Sequence, residues 1–226
     1  MNSQMIRIVT IDGPSGSGKG TIAQLLAKRL GWHCLDSGAL YRLVGLLVHR
    51  ASIGFDNAAK IAEYAEKMNV RFSQGRINLD DDDVTDLIRT ETAGNNASKV
   101  AAFPEVRQAL LKWQRDYARQ PGLVADGRDM GSVVFPSAEV KIFLDASAEE
   151  RARRRYNQLK EKGLDVNLRN LIAEIRERDE RDRNRSVAPL KAPEGALVVE
   201  STDLGIDEVL EKVLEKVRST FPDLVV

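Results

Sequence analysis

Residues 13–21 read GPSGSGKGT, and this glycine-rich stretch constrains the possible folds more than any other part of the sequence. It follows the short apolar run IRIVTI (6–11) and precedes IAQLLAKRL, where apolar residues recur at helical spacing. A strand, a glycine loop and a helix in this order are the context in which the phosphate-binding pattern G-x-x-x-x-G-K-[ST] is credible. Backbone N–H groups of such a loop bind phosphate, helped by the positive end of the helix dipole. The stretch therefore predicts a nucleoside triphosphate site; the alternative is a glycine-rich turn without a ligand.

The sequence of the loop also predicts how a metal ion would be held. Lys19 supplies a positive charge to the terminal phosphates, but Gly20 stands where the pattern has a hydroxyl residue, and Thr21 comes one place late. We therefore expect Mg²⁺ to be held mainly by phosphate oxygens and waters, with help from Thr21 or the strand-end Asp126. Asp126 has a competing interpretation as a structural turn residue. The predicted triphosphate-binding residues of the loop are Gly13, Pro14, Ser15, Gly16, Ser17, Gly18, Lys19, Gly20 and Thr21.

Short apolar runs alternate with helical patterns along the rest of the chain. Further strands are predicted at 32–36, 123–126, 140–147 and 196–201. This alternation predicts an α/β protein with the three-layer P-loop NTPase fold, in which a five-stranded parallel sheet has helices on both faces. Segment 57–99 breaks the alternation with small strands around a glycine turn, and we expect it to be an insertion.

Composition and charge narrow the classes of function. Lysine plus arginine and aspartate plus glutamate both total 34, so the formal net charge is zero, which argues against a nucleic-acid partner. Positive charge is concentrated in segment 151–185, where ten arginines and two lysines face seven acidic residues, and this favours a small anionic ligand. Cys34 is the single cysteine, and no apolar run reaches membrane-spanning length. We expect a cytoplasmic protein without a membrane partner.

Five further motifs lie in order along the chain, and they resemble the bacterial cytidylate kinase family of nucleoside-monophosphate kinases nearly end to end. They are DSGALYR (36–42), NNASKVAAFPEVR (95–107), ADGRDMGSVVFP (125–136), KIFLDAS (141–147) and ERDERDRNR (177–185). The resemblance implies transfer of the γ-phosphoryl group of ATP to CMP or dCMP, with Mg²⁺. It also divides a single domain, 1–226, into a core (1–56, 100–149 and 166–226), an acceptor-binding lobe (57–99) and a helical lid (150–165). We expect a monomer.

The resemblance assigns residues to the cytosine base. It places Ser98, Arg107 and Asp129 there, with Ser37 and Arg185 close by. Cytosine offers an N4 amino donor, which Asp129 would accept, and N3 and O2 acceptors, which Arg107 would serve. Because uracil reverses this pattern at two positions, the resemblance predicts a preference for cytosine over uracil.

Arginines are expected around the phosphates, because a guanidinium group stays charged and binds phosphate through two N–H groups. Arg42 is expected near the acceptor phosphate, although a solvated helix arginine is the alternative, and Arg128 follows a strand end, where ligands gather in α/β sheets. The resemblance places Arg178 and Asp182 at the sugar hydroxyls. The residues alone instead favour a solvated helix decorated by i,i+4 ion pairs, including Asp179–Arg183.

Segment 150–165 contains the arginines of the predicted lid. The resemblance implies that Arg151, Arg154 or Arg155 reaches the ATP phosphates when the lid closes and excludes water. The predicted catalytic residues are Lys19, Arg128 and Asp129. Three alternatives remain open: a kinase for another small acceptor such as uridylate or shikimate, a nucleotide-binding regulator, and a nucleic-acid binder that uses the arginine-rich helix.

Overall fold

The computed structural model describes residues 6–73 and 75–224. Residues 1–5, Gln74 in the predicted glycine turn, and residues 225–226 belong to the predicted domain and lie outside the described residues. The described chain forms two compact units. The core unit comprises the described residues up to Asp36 and from Tyr117 onward, and the inserted unit is Ser37–Asp116. The inserted unit is thus wider than the lobe predicted at 57–99, which lies within it.

The elements follow one another in the order expected for an α/β chain with an insertion. They are β1 (Arg7–Asp12), α1 (Lys19–Leu30), β2 (His33–Asp36), α2 (Ser37–Arg50), α3 (Ala58–Lys67), β3 (Val70–Ser73), β4 (Arg76–Leu79), β5 (Asp82–Asp83), a 3₁₀-helix (Leu87–Arg89), α4 (Glu91–Val100), α5 (Pro104–Asp116), β6 (Gly122–Gly127), a π-helix (Met130–Val134), β7 (Val140–Asp145), α6 (Ala148–Glu161), α7 (Leu168–Arg183), β8 (Leu197–Glu200) and α8 (Ile206–Thr220).

The core unit is built on a five-stranded parallel sheet in the order β2-β6-β1-β7-β8, which confirms the predicted sheet. The central strands are apolar because they are buried on both faces. Apolar residues of α1 and α8, such as Leu26 and Val213, pack with Ile11 and Ile142 of the sheet in one continuous core. The strands bring acidic residues to their common carboxyl edge, at or next to the end of each strand: Asp12, Asp36, Asp126, Asp145 and Glu200.

The inserted unit contains helices α2 to α5 and a three-stranded antiparallel sheet, β3-β4-β5. The small strands predicted in segment 57–99 are therefore confirmed. They pack through Ile77 and Leu79 against Leu43 of α2 and Ile88 of the 3₁₀-helix. The role of this segment in binding the acceptor remains a prediction.

Helices α6 and α7 form a hairpin in the core unit. Ala152 and Leu159 of α6 pack against Leu171 and Ile175 of α7. The predicted lid, 150–165, covers most of α6 and the turn after it, and its closure remains a prediction. Across the part of the chain that the structure describes, no helix is both long and apolar enough to cross a membrane.

Candidate active site

The glycine loop lies at the carboxyl edge of the sheet, between β1 and α1. A Cβ atom at Gly13 would lie 2.1 Å from the backbone oxygen of Leu144, so a side chain is excluded there. Gly18 has φ +91°, a left-handed conformation that favours glycine. Among the described residues, no side chain caps the amino end of α1. The first N–H groups of the helix therefore remain available to an anion.

Lys19 is buried at the start of α1. Its Nζ donates to the backbone oxygen of Pro14 at 3.0 Å and lies 4.0 Å from Oδ1 of Asp126. Burial and the positive charges of Arg128 and Arg178 together lower the pKa of Lys19 to about 8, although the Asp126 carboxylate opposes the change. These arginines are close enough to Lys19 to act on its charge, so the loop is a region of concentrated positive potential.

This pKa makes ATP binding sensitive to alkaline pH. Lys19 is charged below a pH of about 8 and loses its proton as the pH rises through that value. Above a pH of about 8 we expect the Kd for ATP to rise by up to about tenfold per pH unit. Titration calorimetry across this range measures the effect. The profile of Lys28→Ala, which changes an exposed lysine of the same helix, should match wild type, whereas a flat wild-type profile would contradict the assignment.

Asp126 provides the carboxylate nearest to the loop lysine. Its Oδ1 is buried and accepts no hydrogen bond from residues 6–73 or 75–224. Burial raises the pKa of Asp126 to about 7, opposed by Lys19 and reinforced by Asp36. A Cβ atom at Gly20 would lie only 3.1 Å from the other carboxylate oxygen, Oδ2. The missing side chain at position 20 thus makes room for the Asp126 carboxylate.

This arrangement fits a hard divalent cation or its waters, because carboxylate oxygens are ligands that Mg²⁺ prefers. No group of three or more His, Cys, Asp or Glu side chains within the described ranges is placed to hold a metal ion. How the phosphates, waters and Asp126 share a metal ion remains a prediction. Thr21 lies on the exposed side of α1, and its contribution remains a prediction.

Helix α7 brings Arg178 to the loop and Asp182 to Arg128, and Arg185 lies just beyond the end of this helix. Arg178 donates to Oγ of Ser15 at 3.2 Å, and Nε of Arg128 donates to Asp182 at 3.0 Å. Arg185 also binds the Asp182 carboxylate, which is 1% exposed. The structure therefore places these residues together in the core unit, and the interpretation of this helix face as solvated is wrong for Arg178 and Asp182.

The predicted i,i+4 pair between Asp179 and Arg183 is also wrong. Asp179 instead pairs with Arg151 of α6, and the two side chains are buried. Arg154 contacts the backbone oxygen of Ser17 in the loop, and the remaining predicted lid arginine, Arg155, bonds to Gln158 on its own helix.

Asp12 is a residue of the site that the motifs did not identify. It ends β1, is 0% exposed, and accepts the N–H groups of Met130 at 2.7 Å and Gly131 at 2.8 Å. Burial raises the pKa of Asp12 to about 7, although these two hydrogen bonds oppose the rise. Asp12 thereby holds the turn that directly follows Arg128 and Asp129. The sequence feature that could have identified Asp12 is an apolar run, typical of a buried strand, that ends in a carboxylate.

Replacing Asp12 with asparagine tests whether Asp12 positions the turn that follows Arg128 and Asp129. The amide keeps one acceptor but turns an NH₂ donor toward the other N–H group, so the turn should shift. We expect kcat/KM for phosphoryl transfer to fall by about 10²-fold, the cost of a misplacement of about 1 Å in a catalytic group. Steady-state kinetics measure the loss. Asp145→Asn, at the end of β7, is the matched control, and wild-type kinetics in a folded Asp12→Asn protein would contradict the role.

The inserted unit holds the remaining predicted acceptor residues. Ser37 is buried and donates to Oε1 of Gln114 at 2.8 Å. Arg107 is also buried, donates to the backbone oxygen of Ala101 at 3.3 Å, and stacks its guanidinium 5.6 Å from the ring centre of Tyr41. Tyr41 and Gln114 were not predicted. Tyr41 lies inside the motif DSGALYR and could have been predicted from it, whereas nothing in the sequence singled out Gln114.

Arg42 and Ser98 complete this group. Arg42 donates to the backbone oxygens of Ile88 at 2.7 Å and Thr90 at 3.1 Å, so it is ordered by the turn before α4. Ser98 lies on α4 and is 2% exposed. Their roles toward an acceptor remain predictions.

A parallel sheet whose first strand leads through a glycine loop into a helix, with a buried lysine and a strand-end aspartate beside that loop, defines a P-loop nucleotide-binding protein. The chain belongs to the cytidylate kinase family, whose model matches residues 9–219. A cytidylate kinase of Aeromonas salmonicida (strain A449) is 60% identical over 215 residues, covering 93% of this chain and 94% of the relative. One from Aeromonas hydrophila subsp. hydrophila is 57% identical over 225 residues, covering 98% of both chains.

A solved structure shows the same fold at low identity. A gluconokinase from Sinorhizobium meliloti 1021 superposes with a TM-score of 0.50 at 14% identity, covering 96% of this chain and 94% of the other. This likeness concerns the fold alone.

Proposed function

We propose that this chain transfers the γ-phosphoryl group of ATP to CMP or dCMP, giving ADP and CDP or dCDP. Membership of the cytidylate kinase family supports the reaction. The observation that carries the proposal is the burial of Lys19 in the glycine loop, beside Asp126 and close enough to Arg128 and Arg178 for their charges to lower its pKa. Phosphoryl transfer requires positioning and neutralisation of charge more than covalent help, and this site supplies both.

On the donor side, the backbone N–H groups of the loop from Ser15 to Gly20 bind the ATP phosphates, and Lys19 neutralises charge on the group in transfer. Asp126 would hold Mg²⁺ or its waters. The ion, when bound, offsets phosphate charge and orients the phosphate oxygens. The acceptor is already a phosphate anion, so no residue serves as a strong base, and the raised pKa of Asp126 does not imply that role.

On the acceptor side, Asp129 and Arg107 read the cytosine base, as the resemblance implies. The buried state of both side chains supports this proposal, because desolvated polar groups discriminate strongly against a base that leaves them unpaired. The proposed CMP-binding residues are Ser37, Arg42, Ser98 and Arg107 of the inserted unit, and Arg128, Asp129, Arg178, Asp182 and Arg185 of the core unit.

The protein acts as a cytoplasmic monomer, with ATP and CMP or dCMP as its partners and without nucleic acid or membrane. The formal net charge of zero supports the absence of a nucleic-acid partner, and the single cysteine supports the reducing compartment.

Phosphorus NMR of the purified protein with Mg-ATP and CMP tests the reaction directly. We expect ADP and CDP to appear in equal amounts, and ATP to persist when CMP is left out. Slow hydrolysis of ATP to ADP and phosphate, at a rate that CMP does not change, would overturn the proposal and favour a nucleotide-binding regulator.

A further inference from the structure

Arg151 is a buried cation on the outer side of the glycine loop. It is 2% exposed, although it lies on α6, a helix rich in charged residues. Its Nε donates to the backbone oxygen of Ala146 at 2.9 Å, and one terminal nitrogen donates to the backbone oxygen of Ser15 at 2.9 Å. The same nitrogen donates to Oδ1 of Asp179 at 3.1 Å, and the other binds Oδ2. The guanidinium group is therefore committed to protein acceptors.

These contacts set the orientation of loop peptides. In a trans peptide the N–H points away from the C=O, and the single cis bond in the described chain is Gln120–Pro121. Because Arg151 binds the Ser15 oxygen, the N–H of Gly16 in the same peptide points away from Arg151. The Ser17 oxygen accepts from Arg154 at 3.4 Å and from Oγ of Ser201 at 3.5 Å, which directs the next N–H in the same way.

Asp179 is the residue that locks Arg151 in place. It is 6% exposed, and both of its carboxylate oxygens bind the guanidinium. Without Asp179, Arg151 would be a buried cation lacking its counter-charge, which is strongly unfavourable, so the side chain would leave the Ser15 oxygen. Arg178, the neighbour of Asp179 on α7, holds Oγ of Ser15. Both helices of the hairpin thus converge on one loop residue.

We propose that Asp179 is a positioning residue for ATP: through Arg151 it fixes the glycine loop in the conformation whose N–H groups receive the phosphates. The inference rests on the proposed function, since it names the support of the donor site in that reaction. In the described structure Arg151 donates to the backbone oxygen of Ser15 and Arg154 to that of Ser17, and their reach to the ATP phosphates on lid closure remains a prediction.

The variant Asp179→Asn tests this inference, with Glu177→Gln as the matched control. Glu177 is an exposed carboxylate on the same helix that pairs with Arg181. We expect the Kd for Mg-ATP, measured by calorimetry without an acceptor, to rise roughly 10- to 100-fold in Asp179→Asn, by analogy with the loss seen when residues that orient the ligands of a metal site are removed. The KM for CMP should remain unchanged, and Glu177→Gln should match wild type in both quantities.

A double variant covers the case in which Asp179→Asn does not fold. Arg151→Met with Asp179→Leu replaces the buried pair by apolar side chains, a change that proteins tolerate well, and it also removes the contact with the Ser15 oxygen. The same loss of ATP affinity is expected. Wild-type ATP affinity in either folded variant overturns the inference, and so does an equal rise in the KM for CMP, which indicates a general structural role. Failure of the wild-type protein to phosphorylate CMP contradicts the proposed function alone, because ATP affinity is measured separately.

Discussion

Replacing Lys19 with alanine is expected to lower kcat by at least about 10²- to 10³-fold, the cost of losing one preorganised group that stabilises charge in the transition state. The ammonium group is buried among Asp126, Arg128 and Arg178, and it is the cation that belongs to the glycine loop itself. Folding should survive the change, because burial of the charged lysine is itself unfavourable, as its lowered pKa records.

Initial rates of ADP formation at saturating CMP measure the effect, and circular dichroism confirms the fold. Lys28→Ala removes an exposed lysine from the last turn of the same helix and should retain wild-type activity. A folded Lys19→Ala protein that retains more than about a tenth of wild-type kcat would contradict the assignment, since the expected loss is at least ten times larger.

Replacing Asp129 with alanine should remove the acceptor for the cytosine amino group. One good bidentate pair between a side chain and a base discriminates by about 1–3 kcal/mol, so kcat/KM with CMP should fall roughly 5- to 150-fold. The kcat/KM with UMP should change less, because uracil carries no amino group for Asp129 to accept. The ratio of the two acceptors is therefore the informative quantity.

Competition between CMP and UMP in one reaction gives this ratio. Glu194→Ala, which changes an exposed carboxylate of the core unit, is the control and should leave the ratio unchanged. If Asp129→Ala lowers kcat/KM equally for both acceptors, Asp129 acts on the phosphates or on the turn and not on the base.

The strands and helices that could be predicted are those whose apolar periodicity and glycine positions lie within one short stretch of sequence. The apolar run before Gly13, the glycines of the loop and the helical spacing after Lys19 determined the first strand, loop and helix without reference to the rest of the chain. The five parallel strands followed from the same alternation. The inserted unit extends beyond the lobe predicted at 57–99, because that prediction used only the β strands that depart from the alternating pattern, whereas α2 and α5 have ordinary helical periodicity.

Contacts between distant segments were not predictable in the same way. Asp12 and Met130 are 118 residues apart, and no spacing rule connects them. Asp179 and Arg151 lie on different helices, whereas the i,i+4 rule compares only residues of one helix and therefore selected Arg183. For a charged side chain that is buried by tertiary packing, the sequence shows the charge but does not show which residue pairs with it.

The most direct test of cytidylate phosphorylation by this protein is ADP formation by the wild type from Mg-ATP with CMP, dCMP, UMP or AMP under identical conditions. We expect rapid ADP formation with CMP or dCMP, much slower formation with UMP and AMP, and none above background without an acceptor. Equal rates with UMP and CMP, or a rate that no acceptor changes, would contradict this expectation.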